Sequence, residues 1–335
     1  MKRIKYTGIL LIIIGFIISI FSFTQVKDKF SSINQLIQSI QQESYGKTYE
    51  KRLSHFNQIQ VNSDMDVQVK YGNRFKVIGV DAKNHQTDYH VENNKLIING
   101  KKHESLFSNF KLIDFGDAEY NAKITIVIPK DTKLTSYQQN NSAYDLTMDG
   151  IVLSNKLALN NIDDVNLNHV TADGLSLYTS DGDINIKNSR FKQSASDLHT
   201  DDGDISVSDS QFKQLDLSSD DGDLRINNNI INDGSSRVNI DDGDIILSTN
   251  NWNTLSLSSS DGDVSFKHQI IKHNLDAKTE DGDIRGTVKL SDYAKITSNT
   301  QDGDVRIPSK LNQQMKTSKN YSFHTDDGDI DISEY

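Results

Sequence analysis

The chain has 335 residues and a formal net charge of −11, and only 35% of its residues are hydrophobic. So few apolar residues cannot fill one large round core, whereas stacked repeats need only a few inward side chains per unit. The negative charge and the lack of a basic stripe make nucleic acid a poor partner, and the absence of cysteine excludes disulfides, thiolate metal sites and a lipid-modified cysteine anchor.

The N-terminal segment has the pattern of a membrane anchor. Lys2, Arg3 and Lys5 precede the uncharged residues 6–26. As a helix this stretch is roughly 30 Å long, which matches the hydrocarbon core of a bilayer. Because the basic residues come first, the positive-inside tendency predicts a cytoplasmic tail at residues 1–5, a transmembrane helix at residues 6–26 and an extracytoplasmic remainder. The alternative, a cleaved signal peptide, lacks a small-x-small cleavage site.

A helical stalk is predicted next, at residues 27–50. Apolar residues recur there at intervals of four and three, as in Phe30, Ile33 and Ile37, with polar residues between them. This spacing is typical of an amphipathic helix, but the stretch holds too few heptads for a coiled coil. We expect the stalk to lie on the membrane or against the first strands.

After the stalk the apolar residues alternate with polar ones, which predicts strands. Residues 123–129 are the strongest of these and end at a proline, which lacks an amide donor. The loop that holds Phe107, Phe110 and Phe115 is expected to cover one end of the repeat region that follows, rather than to form a small core of its own. We assign residues 53–149 to an irregular β region that caps the repeats.

The rest of the chain, residues 150–335, repeats one unit of about 20 residues. Eight Asp-Gly-Asp triplets recur at intervals of 19 to 25 residues, and apolar residues alternate on both sides of each triplet. The triplets are centred on Gly182, Gly203, Gly222, Gly243, Gly262, Gly282, Gly303 and Gly328. Looser relatives stand at Asp149 and Gly150, at Asp163 and Asp164, and at Asp173 and Gly174.

A second apolar position recurs at the same period and is expected to fill one corner of the stack. Its members are Phe191, Phe212, Ile231, Trp252, Ile271 and Leu290. A coil of about 20 residues at roughly 3.3 Å each runs once around a narrow two- or three-sided prism, each strand pairing in parallel and in register with its equivalent in the next coil. The predicted fold is therefore mainly β, a parallel β-solenoid (β-helix), with a bulged insertion at residues 310–319 in the long last interval.

The triplet has two interpretations. In the structural one, which we favour, glycine permits a turn with positive φ and the flanking aspartates bind the amides of that turn. In the other, the aspartates bind calcium. Stacking in register places equivalent carboxylates about 4.8 Å apart, which costs about 1 kcal/mol or less per pair in water, and calcium accepts about six to eight oxygens. The Gly-Gly-x-Gly-x-Asp signature of calcium-binding β-rolls is absent.

No cofactor other than calcium is expected. The candidate calcium ligands are the two aspartates of each triplet: Asp181, Asp183, Asp202, Asp204, Asp221, Asp223, Asp242, Asp244, Asp261, Asp263, Asp281, Asp283, Asp302, Asp304, Asp327 and Asp329.

A strand that ends in Ile-Val-Ile-Pro, at residues 126–129, followed by repeated Ser-Asp-Gly-Asp units such as residues 180–183 and 260–263, resembles a known family. It is the bacterial putative-adhesin family of β-strand-repeat proteins, a domain of unknown function, and the likeness covers residues 53–335. The resemblance implies an extracytoplasmic β-solenoid, often anchored in the membrane and in some members associated with envelope-stress systems. It brings no catalytic residues.

These patterns predict a membrane-anchored cell-surface protein whose acidic solenoid serves binding or adhesion at the cell envelope without catalysis. Repeated weak contacts add up to strong binding, which favours this function. One alternative is an envelope-stress sensor or regulatory accessory protein, although residues 1–5 are too few for a signalling domain. The other is a carbohydrate-active β-helix enzyme, but glycoside cleavage needs one tuned pair of carboxyl groups and the triplets are nearly equivalent. The expected partners are the membrane and a component of the envelope or of a cell surface.

Overall fold

The computed structural model describes residues 48–80, 85–102, 123–140, 144–289, 294–309 and 318–335. The predicted tail, transmembrane helix and most of the stalk lie outside these residues, as do Leu290 and the loop that holds Phe107, Phe110 and Phe115. Within the described ranges, no helix is long and apolar enough to cross a membrane.

The described residues form 33 strands in four sheets. Sheet 1 contains the strand that follows each triplet and has fourteen strands in all. In chain order they are β1 (Thr48–Arg52), β3 (Asp66–Gly72), β4 (Lys76–Val80), β7 (Lys123–Pro129), β9 (Leu146–Asp149), β11 (Val165–Asn168), β14 (Ile184–Lys187), β17 (Ile205–Ser208), β20 (Leu224–Asn227), β23 (Ile245–Ser248), β26 (Val264–Lys267), β29 (Ile284–Val288), β31 (Val305–Arg306) and β33 (Ile330–Glu334).

Sheet 2 receives the strand that precedes each triplet and has nine strands. They are β10 (Leu157–Asn160), β13 (Leu175–Thr179), β16 (Ser196–Asp202), β19 (Leu215–Asp221), β22 (Ser235–Asp242), β25 (Thr254–Asp261), β28 (Leu275–Lys278), β30 (Lys295–Asn299) and β32 (Asn320–His324). Sheet 3 consists of two-residue strands, namely β12 (Thr171–Ala172), β15 (Arg190–Phe191), β18 (Gln211–Phe212), β21 (Ile230–Ile231), β24 (Asn251–Trp252) and β27 (Ile270–Ile271).

The six coils that contain a strand of sheet 3 pass through sheet 3, sheet 2 and sheet 1 in turn, so this part of the solenoid has three sides. Pairing between coils is parallel and in register, as in Ile184 with Ile205 and Ile205 with Leu224. The side chains at these positions are fully buried, while their neighbours along each strand point outward. The predicted parallel, in-register β-solenoid is thus confirmed.

The second apolar position lies in sheet 3, on the inside of the stack. Phe191, Phe212, Ile231, Trp252 and Ile271 are all buried there. The rings of Phe191 and Phe212 stack with centroids 5.3 Å apart. A two-residue strand can hold only one inward side chain, so this position carries most of the apolar surface on its side of the prism.

The first β region continues sheet 1 beyond the coils. The strand order there is β1-β4-β7-β3-β9, and β4 pairs antiparallel with both β1 and β7. Sheet 4, in the order β5-β6-β2-β8, comprises β2 (Gln58–Asn62), β5 (His85–Glu92), β6 (Lys95–Lys102) and β8 (Ser136–Gln139). The predicted stalk does not reach residue 50, because Thr48 to Glu50 belong to β1 and pair with Ile78 to Val80 of β4. The strand β4 that pairs with β1 lies about 30 residues further along the chain, and the local spacing of apolar residues, on which the helix prediction rested, carries no information about it.

The last two coils do not stack in chain order. β33 lies between β29 and β31 in sheet 1, and β32 lies between β28 and β30 in sheet 2. The C-terminal coil, which holds β32 and β33, therefore lies between the coil of β28 and β29 and the coil of β30 and β31. This corrects the prediction that every coil stacks on the coil that precedes it in the chain. The long interval between Gly303 and Gly328 supplies chain for this return, although residues 310–317 lie outside the described ranges.

Candidate functional site

The triplet corner, where each strand of sheet 2 turns into sheet 1, is held by a ladder of carboxylates. Except for Asp304 at the end of the stack, the second aspartate of each triplet accepts a hydrogen bond from its own equivalent in the adjacent coil: the N–H of Asp204 donates to Asp183 Oδ1 (2.9 Å), and that of Asp223 to Asp204 Oδ1 (2.8 Å). In stacking order the ladder comprises Asp66, Asp145, Asp164, Asp183, Asp204, Asp223, Asp244, Asp263, Asp283, Asp329 and Asp304.

This register separates the looser relatives of the triplet. Asp163 and Asp164 belong to the triplet corner, since the Asp164 carboxylate accepts the N–H of Asp183 (2.9 Å). Gly150 lies instead at the corner that follows sheet 1, where its φ is 75°. Asp149 and Gly150 are therefore not a relative of the triplet. They resemble one only because tight turns of either kind favour Asp and Gly.

Arginine side chains neutralise the outer oxygens of the ladder at three places that the sequence analysis missed. Arg225 bridges Asp204 Oδ2 (2.9 Å) and Asp223 Oδ2 (2.5 Å). Arg285 likewise bridges Asp263 and Asp283, and its hydrogen bond to Asp263 raises the pKa of the guanidinium. Arg306 bridges Asp304 and Asp329. The sequence signal for these ion pairs is an arginine three residues after the triplet glycine.

The triplet glycine is required mainly because the coils approach closely. A Cβ on Gly282 would lie 2.2 Å from the carbonyl oxygen of Gly262, and a Cβ on Gly203 would lie 2.4 Å from that of Gly182. Positive φ, which the sequence analysis proposed as the reason, applies to Gly222 (134°) and its two successors in the stack, but not to every copy. No side chain fits between the stacked turns.

A row of buried hydroxyls supports the same corner. Three residues before the glycine, Thr200 Oγ1 donates to Gly182 O (3.1 Å), and Thr279 Oγ1 donates to Gly262 O (2.9 Å). Each of these hydroxyls binds the carbonyl of the triplet glycine in the adjacent coil, whereas Thr179 at the start of the row binds that of Asp163. The sequence carries this signal, because Ser or Thr stands at this position in every triplet except the one preceded by Ile240.

The first aspartates of the triplets form a second row, whose carboxyl groups face one another. Asp202 and Asp221 are register partners, and so are Asp242 and Asp261. Partial desolvation, followed by the carboxylates of the adjacent coils, raises the pKa of Asp202 and of Asp242. Repulsion between neighbouring coils therefore persists at Asp202 and at Asp242.

Replacing Asp242 by asparagine is expected to raise the melting temperature at pH 7. A carboxyl whose folded pKa is raised stabilises the fold fully below its ordinary value of 3.8 and loses that contribution as the pH rises through the folded pKa. The gain in the variant should therefore shrink as the pH falls through the raised pKa of Asp242, because the wild-type carboxyl then becomes protonated and loses its charge. Melting curves between pH 4 and 8 measure this, with Asp233→Asn as the control. A gain that is independent of pH would contradict the explanation.

The candidate calcium ligands thus occupy two distinct rows. The second aspartates, which form the ladder, use Oδ1 to bind backbone amides, and Arg225, Arg285 and Arg306 contact several of their outer oxygens. Within the ranges that the structure describes, no three histidine or acidic side chains converge closely enough to hold a metal ion. Calcium binding stays a hypothesis, for which the first aspartates of the triplets offer the more accessible oxygens.

The corner that follows sheet 1 contains a buried polar row that the sequence analysis missed. Asn188 and Asn228 adopt positive φ there, a conformation that asparagine tolerates. The next residue is buried: Asn229 Oδ1 accepts the N–H of Ser210 (2.8 Å), and its Nδ2 donates to Val207 O (2.8 Å). In stacking order the row is Ser189, Ser210, Asn229, Asn250 and Gln269.

An open groove of about 610 Å³ crosses the outer face of sheet 2, from β8 over β10, β13 and β16 to β19. In it the rings of Tyr178 and His199 stack with centroids 5.4 Å apart. Asp201 accepts from Tyr178 OH (2.8 Å) and from His199 Nε2 (3.0 Å), while Ser218 Oγ lies 2.7 Å from His199 Nδ1. The hydrogen bond to Asp201 raises the pKa of Tyr178. We call these four residues the aromatic cluster.

A second open groove, of about 620 Å³, lies on the outer face of sheet 1. Asn166, Asn185 and Asn188 line it together with His169 and Lys187. It has amide groups like those of the first groove, but its described lining includes neither a tyrosine nor a carboxylate. The two grooves therefore provide a matched pair for experiments.

The fold and the corners define a class of protein: a three-sided parallel β-solenoid whose turns are held by ladders of identical side chains. The chain belongs to the Toastrack DUF4097 family, whose profile matches residues 56–237 and 231–333. A comparison with curated proteins finds no match.

Several solved structures are similar to the chain. One, called a putative adhesin, from Parabacteroides merdae, is 10% identical with a TM-score of 0.40, over 72% of this chain and 95% of its own. A putative adhesin from Parabacteroides distasonis is 14% identical with a TM-score of 0.40, over 72% of this chain and 97% of its own. A putative lipid binding protein from Parabacteroides distasonis is 12% identical with a TM-score of 0.40, over 86% of this chain and 96% of its own.

Proposed function

We propose that the protein is a single-pass, membrane-anchored cell-surface protein whose solenoid binds a component of the cell envelope or of another cell without catalysis. Residues 6–26, uncharged and preceded by basic residues, support the anchor and its orientation. The observation that carries the binding role is the repetition itself, since in-register coils present the same outward groups many times along one edge. Multivalent contact makes weak individual contacts strong in sum.

The outward carboxylates best suited to such contacts precede the triplets. Asp220 and Asp241 are exposed and lie just before the first aspartate of their triplets, outside the carboxylate ladder. Their charge is available to a cationic partner, whereas the ladder carboxylates are committed to backbone amides and arginines. The edge therefore favours positively charged groups or bound cations on the partner.

The experiment measures binding of the full-length protein, purified in detergent, to washed cell-envelope fragments and to whole cells, with and without calcium. We expect saturable binding that the Asp220→Asn, Asp241→Asn double variant weakens, since it removes exposed charge without touching the ladder. Asp233→Asn is the matched control at another corner. Protease treatment of intact cells should remove the solenoid. Absence of binding to any envelope fragment, or a solenoid protected inside the cell, would overturn the proposal.

One observation favours a second candidate, a hydrolase. Ser218, His199 and Asp201 form a hydrogen-bonded series like that of nucleophile, base and acid. However, β19 pairs with a strand on each side, so the amides near Ser218 serve the sheet and do not form an oxyanion hole. We therefore expect no hydrolysis of wall glycans or of ester substrates. Turnover that Ser218→Ala abolishes would establish the enzyme instead.

A further inference from the structure

We propose, building on the proposed binding function, that the groove on sheet 2 binds a neutral, hydroxyl-rich glycan chain, one sugar ring of which packs against Tyr178. The register places Asn160 and His199 on opposite sides of Tyr178. His199 covers one face of the tyrosine ring, and on the other side Asn160 is the register partner of Tyr178, while the small side chain of Ala158 lines the groove nearby. This leaves a slot beside an aromatic face, bordered by polar groups.

The aromatic cluster is built to stay rigid. Asp201 accepts hydrogen bonds from both rings, and Ser218 holds the remaining nitrogen of His199. A side chain already fixed in its binding conformation loses little entropy when a ligand packs on it. A tyrosine that served only to cover the sheet would not need its hydroxyl and its neighbouring ring held in this way.

The polar lining matches a ligand with many hydroxyls. Gln138, Gln139, Asn140 and Asn160 supply amide donors and acceptors around the slot. Gln139 Oε1 accepts from Tyr137 OH (2.7 Å), whereas its Nε2 is buried without a hydrogen-bond partner. The exposed amides of Gln138, Asn140 and Asn160 are therefore the groups open to a ligand.

Charge and backbone pairing disfavour other ligand classes at the aromatic cluster. Among the described lining residues there is no lysine or arginine, and Asp197 contributes a carboxylate, so an anionic polymer is disfavoured. The three strands that carry the cluster, β13, β16 and β19, pair with neighbours on both sides, so a peptide finds no sheet edge to extend there, whereas β10 at the end of the groove is the edge strand of sheet 2. The groove crosses the strands, whose spacing of about 4.8 Å is comparable to the length of one sugar unit.

The test is native-gel migration of the full-length protein in detergent, through gels that contain a soluble β-glucan, a mannan or a galactomannan, with polygalacturonate as the anionic comparison. We expect at least one neutral glycan to retard the wild-type protein. Tyr178→Ala should weaken the affinity about tenfold, because it removes the aromatic face, whereas Tyr178→Phe should retain most of it. Asn185→Ala, in the second groove, should bind like wild type.

A further variant, Ala158→Lys, fills the slot and leaves the aromatic cluster intact, and its melting curve shows whether the fold is preserved. Retardation by none of the neutral glycans, equal retardation by polygalacturonate, or wild-type affinity in both Tyr178→Ala and Ala158→Lys would overturn the inference. If the wild type binds envelope fragments but those two variants bind glycan as the wild type does, the groove inference fails and the proposed function stands. If the wild type binds no envelope fragment, the proposed function fails on its own test.

Discussion

Replacing Gly282 by alanine is expected to destabilise the fold by about 3 kcal/mol, the upper range for an overpacked site. The new Cβ would lie 2.2 Å from the carbonyl oxygen of Gly262, a backbone atom that cannot rotate away. The φ of Gly282 lies outside the left-handed region, so the cost comes from stacking and not from backbone strain. Urea unfolding followed by the fluorescence of the single tryptophan, the buried Trp252, measures the change.

The control for this substitution is Glu280→Ala, an exposed position two residues earlier in the same turn. It should change stability by less than about 0.5 kcal/mol, as is usual for surface positions. Equal effects of the two substitutions would show that the turn, and not the contact between coils, limits stability.

Replacing Asn229 by alanine is expected to cost about 3 kcal/mol. The substitution leaves the N–H of Ser210 without its acceptor and removes the donor to Val207 O, both inside the solenoid. Each buried group that loses its partner costs roughly 1–3 kcal/mol. Urea unfolding with the same tryptophan signal provides the measurement.

The chain itself offers the matched variant for Asn229. Ser189 and Ser210 occupy the same position in the two preceding coils, and each uses its hydroxyl both to accept an N–H from the adjacent coil and to donate to a carbonyl. Asn229→Ser should therefore recover much of the stability that Asn229→Ala loses. If the serine and alanine variants were equally unstable, the loss would reflect packing volume and not hydrogen bonding.

The repeat was predictable because each of its features recurs. Period-two alternation around Gly222 predicts the strands that became β19 and β20, and the recurring position of Phe212 predicts the inward residue of sheet 3. The hydroxyl row at Thr200 and the polar row at Asn229 recur too, yet sequence reasoning overlooked them. Buried polar residues resemble solvated ones until their partners in the adjacent coil are known.

The aromatic cluster could not be read from the repeat. Tyr178, His199 and Ser218 come from three coils and are different residues at one equivalent position. A search for recurring residues does not detect a position at which the residue differs from one coil to the next. Only the register, which places them about 4.8 Å apart on one face, assembles them into a cluster.

The sequence by itself determined the period of the coil, the parallel register and the residues that face inward, because these depend on alternation within one repeat. The tertiary structure alone decided the order of the last coils, in which β33 lies between β29 and β31. Every coil presents nearly the same edge, so local pattern cannot select which coil pairs with which. The tertiary structure also explains why the Asp-Gly-Asp triplet recurs. The coils stack too closely for a side chain to fit between them, and the second aspartate accepts a hydrogen bond from the backbone amide of the next coil.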